Sequence, residues 1–148
     1  MEVQPDFREL LALFNAHKVK YVIVGGYALA FHGAPRATGD IDLFIEPNAH
    51  NAKRILTVLT EFGFGSLGLV QKDFENPGNV IQLGVPPVRV DILTSLTGVS
   101  WQEAYKGRVK GFYGDVVVWY LGLKQFRANK RAIARKKDQA DLEALGEK

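Results

Sequence analysis

The chain has 148 residues and a mass of 16.4 kDa, a size at which soluble proteins build one hydrophobic core. Hydrophobic residues make up 47% of the chain and charged residues 24%, as in ordinary globular domains, which argues against a disordered or fibrous protein. The formal net charge of +3 is too small by itself to indicate a nucleic-acid partner. We therefore predict one domain spanning residues 1–148.

The basic residues are concentrated near the C-terminus. Residues 124–137 contain seven basic side chains and no acidic one, which leaves 12 basic and 16 acidic residues elsewhere. The chain has no cysteine, which excludes disulfides, thiolate-bound zinc and a thiol nucleophile. The N-terminal residues do not have the pattern of a signal peptide, and no apolar run is long enough to cross a bilayer. We therefore expect a cytoplasmic protein with no membrane partner.

The first half of the chain alternates between helical and strand patterns. Apolar residues at i, i+3, i+4 and i+7 predict a first helix, and a wholly apolar run of four residues predicts a buried strand. Alternating polar and apolar residues then predict a half-buried strand. The predicted elements are a helix at 5–16, a strand at 21–24, a short helix at 27–32, a strand at 40–45 and a helix from about 47 to 62.

The second half begins with a Gly-rich stretch, residues 63–78, that has no clear pattern. Apolar runs at 80–85 and 88–93 predict two consecutive strands, and Tyr113-Gly114 predicts the turn of a hairpin between 108–112 and 115–119. Residues 101–105 indicate a helical turn, and residues 121–145 predict a basic C-terminal helix or helix pair. The order of elements predicts an α/β (α+β) domain, in which a mixed central sheet over about residues 20–119 is flanked by helices.

Two carboxylates occupy alternate positions on the second predicted strand. Because strand side chains alternate between faces, Asp40 and Asp42 point the same way while Ile41 and Leu43 point into the core. Two unpaired carboxylates side by side raise each other's pKa, and a divalent cation removes that cost. Mg²⁺ is commonly held by one or two carboxylates together with substrate phosphate oxygens. An exposed strand edge with alternating acids is the alternative interpretation.

Asp91 and a glycine pair extend this pattern. If the strand that carries Asp91 lies beside the Asp40 strand, a third carboxylate completes a site able to hold two ions about 3.5–4 Å apart. Asp91 could equally be a solvent-facing strand residue. Gly25 and Gly26 follow a buried strand and open a helix, so backbone N–H groups can approach a phosphate without a Cβ in the way.

These motifs together resemble the nucleotidyltransferase superfamily typified by DNA polymerase beta. Its signature is a hydrophobic strand that ends in Gly-Gly or Gly-Ser, an Asp-hydrophobic-Asp strand, and a third Asp on a later strand. In this chain the signature corresponds to Val24-Gly25-Gly26, Asp40-Ile41-Asp42 and Asp91. The resemblance implies a nucleotidyltransferase fold and the transfer of a nucleoside monophosphate from an NTP, with Mg²⁺ or Mn²⁺ as cofactor.

A narrower resemblance covers most of the chain. The string from Gly25 to Leu43, together with Lys130 and the run from Arg135 to Glu143, is similar to the minimal bacterial and archaeal branch that includes abortive-infection toxin nucleotidyltransferases. Membership of that branch implies a cognate toxin or antitoxin partner, and a homo-oligomer is also an expectation. The acceptor hydroxyl is left open between tRNA or other RNA, a protein and a small molecule.

The superfamily resemblance assigns roles to individual residues. It implies that Gly25 and Gly26 contact the triphosphate and that Asp40 and Asp42 ligate the metal. Asp91 would join the metal site and help to deprotonate the attacking hydroxyl. Many active members have Ser where this chain has Gly26, so a hydroxyl contact to phosphate is missing and only backbone donors remain.

Four further residues are candidates for contacts with the nucleotide. Arg36 and Thr38 precede the carboxylate strand and are predicted to reach phosphate or base, with ordering of the loop as the alternative. Lys130 and Lys137 fall on an apolar face of the predicted C-terminal helix, where an ammonium needs a partner or water. We expect them to face an anionic group, either the triphosphate or Asp138 and Asp141, with snorkelling to solvent as the alternative.

Two features keep two interpretations each. His32 ends the short second helix and either contacts backbone carbonyls or lies near substrate. Arg127, Arg131 and Arg135 form an i, i+4 ridge that is either a solvated face or an RNA contact.

The leading hypothesis is a metal-dependent nucleotidyltransferase that releases pyrophosphate. The alternatives are a non-catalytic antitoxin or regulatory nucleotide-binding module, and a bare RNA-binding domain. The last gives no reason for three carboxylates near one site.

Overall fold

The structure, a computed structural model, describes residues 3–34, 39–65, 67–85 and 87–146. Among the described residues, no helix combines the length and the apolar character needed to cross a membrane. The elements are α1 (Pro5–Ala16), β1 (Tyr21–Val24), α2 (Gly25–Phe31), β2 (Asp40–Ile45), α3 (Ala49–Phe62), α4 (Lys72–Glu75), β3 (Val80–Leu83), β4 (Arg89–Leu93), α5 (Trp101–Lys106), β5 (Val109–Tyr113), β6 (Val116–Tyr120), α6 (Leu123–Ile133) and α7 (Lys136–Ala144).

The strands form one mixed sheet in the order β3-β4-β2-β1-β6-β5. β1 is antiparallel to β2 and parallel to β6, and β2 is parallel to β4. The outer pairs, β3 with β4 and β5 with β6, are antiparallel. The mixed sheet flanked by helices confirms the predicted α/β fold class. Strands β2 and β4, which are not consecutive along the chain, lie side by side.

The predicted boundaries in the first half of the chain agree closely with the structure, because local capping contacts define them. The side chain of Gln4 accepts a hydrogen bond from the Asp6 N–H at 2.6 Å at the start of α1. The side chain of Asn48 does the same for the Asn51 N–H at 2.8 Å at the start of α3. That helix ends at Gly63, whose φ of 104° is the left-handed conformation typical of helix ends.

Helices cover both faces of the sheet. Tyr21 of β1 packs against Phe14 of α1, with ring centroids 5.5 Å apart. The next residue, Val22, points to the opposite face and pairs with Phe44 of β2. Phe44 packs edge-on against Trp101 of α5 at 5.2 Å. Since neighbouring strand residues face opposite sides, α1 and α5 lie on opposite faces of the sheet.

The later strands differ in detail from the prediction. The predicted runs 80–85 and 88–93 form the antiparallel pair β3 and β4, and each strand is shorter than its apolar run. The hairpin is shifted by one residue, since Tyr113 belongs to β5 and the turn lies at 114–115, where Gly114 has a φ of 62°. The Gly-rich stretch contains the short helix α4.

The C-terminal segment is a helix pair, which is the second of the two arrangements predicted for residues 121–145. The break falls at Ala134, which has a left-handed φ of 58°. The N–H of Ala134 bonds to the carbonyl of Lys130, and α7 begins two residues later. A single helical wheel therefore does not apply to residues on both sides of the break.

Candidate metal centre

The carboxylates of β2 lie on one face of the strand. Asp40 and Asp42 are half-buried, whereas Ile41 and Leu43 are completely buried in the core. This alternation is the consequence of the strand period of two residues that the sequence predicts. β2 therefore presents two carboxylates side by side.

The third carboxylate comes from the neighbouring strand. β4 runs parallel to β2 with Asp91 in register with Asp42, so the two side chains project from the same face. One carboxylate oxygen from each of Asp40, Asp42 and Asp91 lies within 4.8 Å of the other two. Oxygen ligands at this spacing suit a hard divalent cation such as Mg²⁺ or Mn²⁺. The donor set thus fits the metal that the sequence predicts.

The close approach of the three carboxylates makes Asp42 a weaker acid than an ordinary aspartate. Burial, a hydrogen bond with Asp40, and the charges of Asp40 and Asp91 raise the pKa of Asp42 to about 7. The positive charge of Lys137 acts in the opposite direction and lowers that pKa. The three carboxylates are therefore short of positive charge, which a bound divalent cation would supply.

Gly25 makes room for Asp42. Its φ of 67° is the left-handed conformation that glycine tolerates best, and a Cβ at this position would collide with the Asp42 Oδ2. The first glycine of the pair thus allows a close approach of the Asp42 carboxylate to the backbone. Gly26 is buried in the first turn of α2, which begins at Gly25 rather than at the predicted residue 27.

Replacing Gly25 by Ala is expected to displace the Asp42 carboxylate. The new Cβ must occupy the space of Oδ2 in a backbone conformation that costs alanine about 1–2 kcal/mol. We expect a loss of divalent-metal affinity, measured by Mn²⁺ titration, and a lower melting temperature. The control is Gly33→Ala, a substitution that also has positive φ but meets no atom within 4 Å. Equal metal affinity in both variants would contradict this account.

A cavity of about 460 Å³ opens over the carboxylates. It brings together most of the residues that the sequence predicts for the site and adds several that it does not. The lining residues are Val24, Gly25, Gly26, Asp40, Asp42, Arg89, Asp91, Leu93, Leu96, Asn129, Lys130, Ile133, Arg135 and Lys137. Acidic groups come from the sheet, and basic groups come mostly from α6 and the region around the start of α7.

Lys130 has carboxylate partners within the chain. Its side chain is 6% exposed, and its Nζ lies 3.2 Å from Asp138 Oδ1 and 3.3 Å from Asp141 Oδ2. Arg135 Nε donates to Asp138 Oδ2 at 2.7 Å. Burial opposes the charge on Asp138, but the hydrogen bonds from Arg135 and Lys130 outweigh it and lower the pKa of Asp138 to about 2. The alternatives for Lys130 were the triphosphate, Asp138 with Asp141, or solvent. The structure shows the contact with Asp138 and Asp141.

Lys137 lies across the break from Lys130, at the start of α7. Its side chain is exposed, it lines the cavity, and its charge acts on Asp42. Lys130 and Lys137 thus line one cavity because α6 packs against α7, and not because they share one continuous helix face.

Arg89 is a neighbour of the carboxylates that the sequence analysis does not assign to the site. Its Nε donates to Asp91 Oδ1 at 3.0 Å and its Nη2 to Asp91 Oδ2 at 2.9 Å. The i, i+2 spacing of Arg89 and Asp91 on a strand was the available signal, since it places both on one face. Asn129 also lines the cavity, and its Nδ2 donates to the Thr97 carbonyl at 2.9 Å.

Other predicted residues lie elsewhere. Arg36 and Thr38 fall outside the described residues. His32 Nε2 donates to the Leu121 carbonyl at 2.7 Å, which is the backbone contact of the two interpretations. The ridge of Arg127, Arg131 and Arg135 is interrupted at Ala134, so Arg135 belongs to the start of α7 and pairs with Asp138.

Comparisons with known proteins identify a family for this chain and solved structures of similar fold. The family model for the nucleotidyl transferase AbiEii toxin of type IV toxin-antitoxin systems matches residues 9–105. A proposed nucleotidyltransferase, TM1012 from Thermotoga maritima, superposes with a TM-score of 0.60 at 16% identity, over 98% of this chain and 93% of that one. The lincosamide antibiotic adenylyltransferase LnuA, bound to lincomycin, gives a TM-score of 0.53 at 12% identity, over 97% and 96%. No curated protein sequence matches significantly.

Proposed function

The chain belongs to the family of AbiEii nucleotidyl transferase toxins of type IV toxin-antitoxin systems, and from this membership we propose a specific reaction. The protein transfers a nucleoside monophosphate from an NTP to a hydroxyl on an acceptor and releases pyrophosphate. A bond forms between the acceptor oxygen and the α-phosphorus, the bond from the α-phosphorus to the bridging oxygen breaks, and the hydroxyl proton is released. An NTP substrate is consistent with action in the cytoplasm.

One observation carries the proposal: three carboxylates from two adjacent strands converge within 4.8 Å in a cavity that basic residues also line. Asp40, Asp42 and Asp91 would hold two divalent cations, Mg²⁺ or Mn²⁺. When bound, such cations neutralise phosphate charge and make the attacking hydroxyl more acidic.

The remaining residues of the cavity would bind and orient the nucleotide. The backbone N–H groups of Gly25 and Gly26 would donate to the triphosphate, and the exposed Lys137 would contact it from the opposite side. Arg36 and Thr38 are proposed as further phosphate or base contacts on the basis of the sequence. We assign Lys130 a positioning role, because its ammonium already has two carboxylate partners.

Asp91 is the proposed acceptor of the hydroxyl proton. Each of its oxygens accepts one hydrogen bond from Arg89 and keeps a further lone pair for a proton or a metal. Arg89 also lines the cavity, where we propose that its guanidinium holds Asp91 in place and adds positive charge beside the phosphates.

The test uses the protein with each α-³²P-labelled NTP, Mg²⁺ or Mn²⁺, and total cell extract, followed by separation of RNA, protein and small molecules. The proposal predicts metal-dependent transfer of label into one of these fractions with release of pyrophosphate. Binding of metal and NTP with no transfer to any acceptor would overturn it and favour a non-catalytic partner in a toxin-antitoxin pair. The labelled fraction also identifies the acceptor among RNA, protein and small molecules.

Metal affinity is expected to depend on pH. Because the pKa of Asp42 is raised to about 7 in the metal-free chain, protons compete with the metal below that pH. The apparent affinity for Mn²⁺ should fall by up to about tenfold per pH unit from pH 7 to pH 5 and level off above pH 7. Calorimetric titration at pH 5.5, 6.5 and 7.5 measures this directly.

Lys137→Gln provides the matched comparison. Lys137 lowers the pKa of Asp42, so its removal should shift the affinity curve towards higher pH, whereas Lys136→Gln on the same helix should not. A flat pH profile, or equal shifts in both variants, would contradict the assignment.

A further inference from the structure

A second cavity lies at the opposite end of the sheet from the carboxylates. It has a volume of about 550 Å³ and opens beside the N-terminal ends of the parallel strands β1 and β6. β1 separates the two sites, since Val24 lines the first cavity and Tyr21 the second, three residues or about 10 Å apart along the strand. The proposed metal chemistry does not use this cavity.

The charge of this cavity is positive. Four cationic side chains line it, namely Lys18, Lys20, Arg54 and Arg108, and no Asp or Glu is among the described residues that do. Lys20 lies 3.7 Å from Glu46. The other three form no ion pair within the described part of the chain. Four positively charged side chains around one cavity favour an anionic ligand.

The guanidinium groups of Arg54 and Arg108 are held in place by contacts within the chain. The guanidinium carbon of Arg108 lies 3.7 Å from the ring centroid of Tyr105 and 4.7 Å from that of Trp119. Arg108 Nη1 also donates to the Tyr105 carbonyl at 2.6 Å. Arg54 Nη1 donates to the carbonyl of Lys18 at 3.1 Å, and Lys18 itself has a left-handed φ of 58°. A pre-ordered donor loses less side-chain entropy when it binds.

The aromatic residues define the ligand more narrowly. Tyr105 and Trp119 are only half-buried, and both line the cavity beside the cations. Half-exposed aromatic rings and arginine planes stack on nucleobases, while lysine and arginine bind phosphate. An acidic peptide would use the cations but would gain little from the rings.

We propose that this cavity is a second, metal-independent site for a nucleotide, that is, an aromatic base linked to phosphate. The ligand is either a free nucleotide or one unit of an RNA strand. Its phosphate contacts Arg54, Arg108 and Lys18, and its base stacks beside Trp119. The volume is within the range of small-ligand sites.

Binding is tested on the whole chain in EDTA, which removes divalent cations. The probes are AMP, a fluorescent five-nucleotide RNA, inorganic phosphate and a poly-glutamate peptide. The readouts are fluorescence anisotropy of the RNA and tryptophan quenching by AMP, with Trp119→Phe identifying the tryptophan that responds. The proposal predicts binding of AMP or RNA, weakened at least tenfold by Arg108→Gln and unchanged by Lys72→Gln, an exposed lysine away from the cavity.

A second variant is needed because Arg108→Gln also removes the packing of Arg108 against Tyr105 and Trp119. Lys18→Asn keeps a residue that tolerates the left-handed conformation and should also weaken binding severalfold, with an unchanged melting temperature. RNA binding that is tenfold tighter than AMP binding and falls with salt identifies the RNA strand as the source. Equal affinities identify the free nucleotide.

Four results would overturn the proposal. The first three are the absence of AMP and RNA binding in EDTA, affinities that Arg108→Gln and Lys18→Asn leave unchanged, and tighter binding of poly-glutamate than of either nucleotide probe. Binding that is lost in Asp42→Asn but kept in Arg108→Gln would also overturn it, because the ligand would then occupy the carboxylate cavity. The outcome is independent of whether the protein transfers nucleotides.

Discussion

Replacing Asp42 by Asn is expected to abolish nucleotidyl transfer while making the metal-free protein more stable at pH 8. The substitution keeps the shape of the side chain but removes one charge from three crowded carboxylates. Loss of a metal ligand should reduce the rate by about 10³-fold or more. Incorporation of label from α-³²P NTP measures the first effect, and thermal unfolding in EDTA measures the second.

The sign of the stability change follows from the pKa of Asp42. Because the pKa is raised to about 7 in the folded chain, the folded state favours the protonated group, and this contribution to stability is lost as the pH rises from about 4 through 7. Asn resembles the protonated form at every pH. The gain should therefore reach about 1–3 kcal/mol at pH 8 and vanish near pH 4.

The matched control is Glu9→Gln, which removes an exposed carboxylate from α1 and should change neither property. An Asp42→Asn protein that is less stable than wild type at pH 8 would contradict the crowding argument. Full metal-dependent transfer by the same variant would contradict the proposed reaction. The two failures are separable because the stability measurement needs no substrate.

Replacing Lys130 by Met is expected to cause the largest loss of stability among the substitutions considered. The Lys130 ammonium is buried between Asp138 and Asp141, so its removal leaves buried carboxylates without their shared partner. Breaking a buried ion pair from one side costs about 3–5 kcal/mol. For a chain of this length the melting temperature should fall by about 6–20 °C. Differential scanning calorimetry measures the change.

Lys136→Met serves as the control, because Lys136 is exposed at the start of α7 and should change stability by less than about 0.5 kcal/mol. Similar melting temperatures for the two variants would show that the buried network contributes little. If Lys130, Asp138 and Asp141 only hold α7 in position, the Lys130→Met protein should still bind nucleotide, but more weakly. This binding is measured at a temperature at which the variant is folded.

Asp138 gives this network a pH signature. Its pKa is lowered to about 2 in the folded chain, so its contribution to stability is present above about pH 4 and is lost as the pH falls towards 2. The acid limb of the wild-type stability curve should be less steep in Asp138→Asn.

The sequence allowed most of the first half of the fold to be predicted, because local signals define it. The helix period and the capping residues locate α1 and α3, and the strand period puts Asp40 and Asp42 on one face. Asp91 was harder. Its role depends on β4 pairing with β2, strands that are separated along the chain by α3, α4 and β3. Local periodicity carries no information about which strands pair. The role of Asp91 was therefore predicted from the family resemblance.

The remaining differences have physical causes that a single sequence does not display. Ala134 ends α6 without a glycine or proline, because the contacts of Arg135 and Lys130 with Asp138 stabilise the break. Gly25 has a left-handed φ because the Asp42 carboxylate occupies the space of its missing Cβ, a contact between residues 17 positions apart. Such contacts become visible only when the chain is folded.

The most direct test of the central claim is the binding of Mn²⁺ measured by electron paramagnetic resonance. With a non-hydrolysable NTP analogue present, the wild-type protein and Glu9→Gln should each bind two Mn²⁺ ions, and Asp42→Asn should lose at least one of them. Binding in wild type that Asp42→Asn leaves unchanged, or no binding to wild type above the level of the analogue alone, would contradict a metal centre formed by Asp40, Asp42 and Asp91.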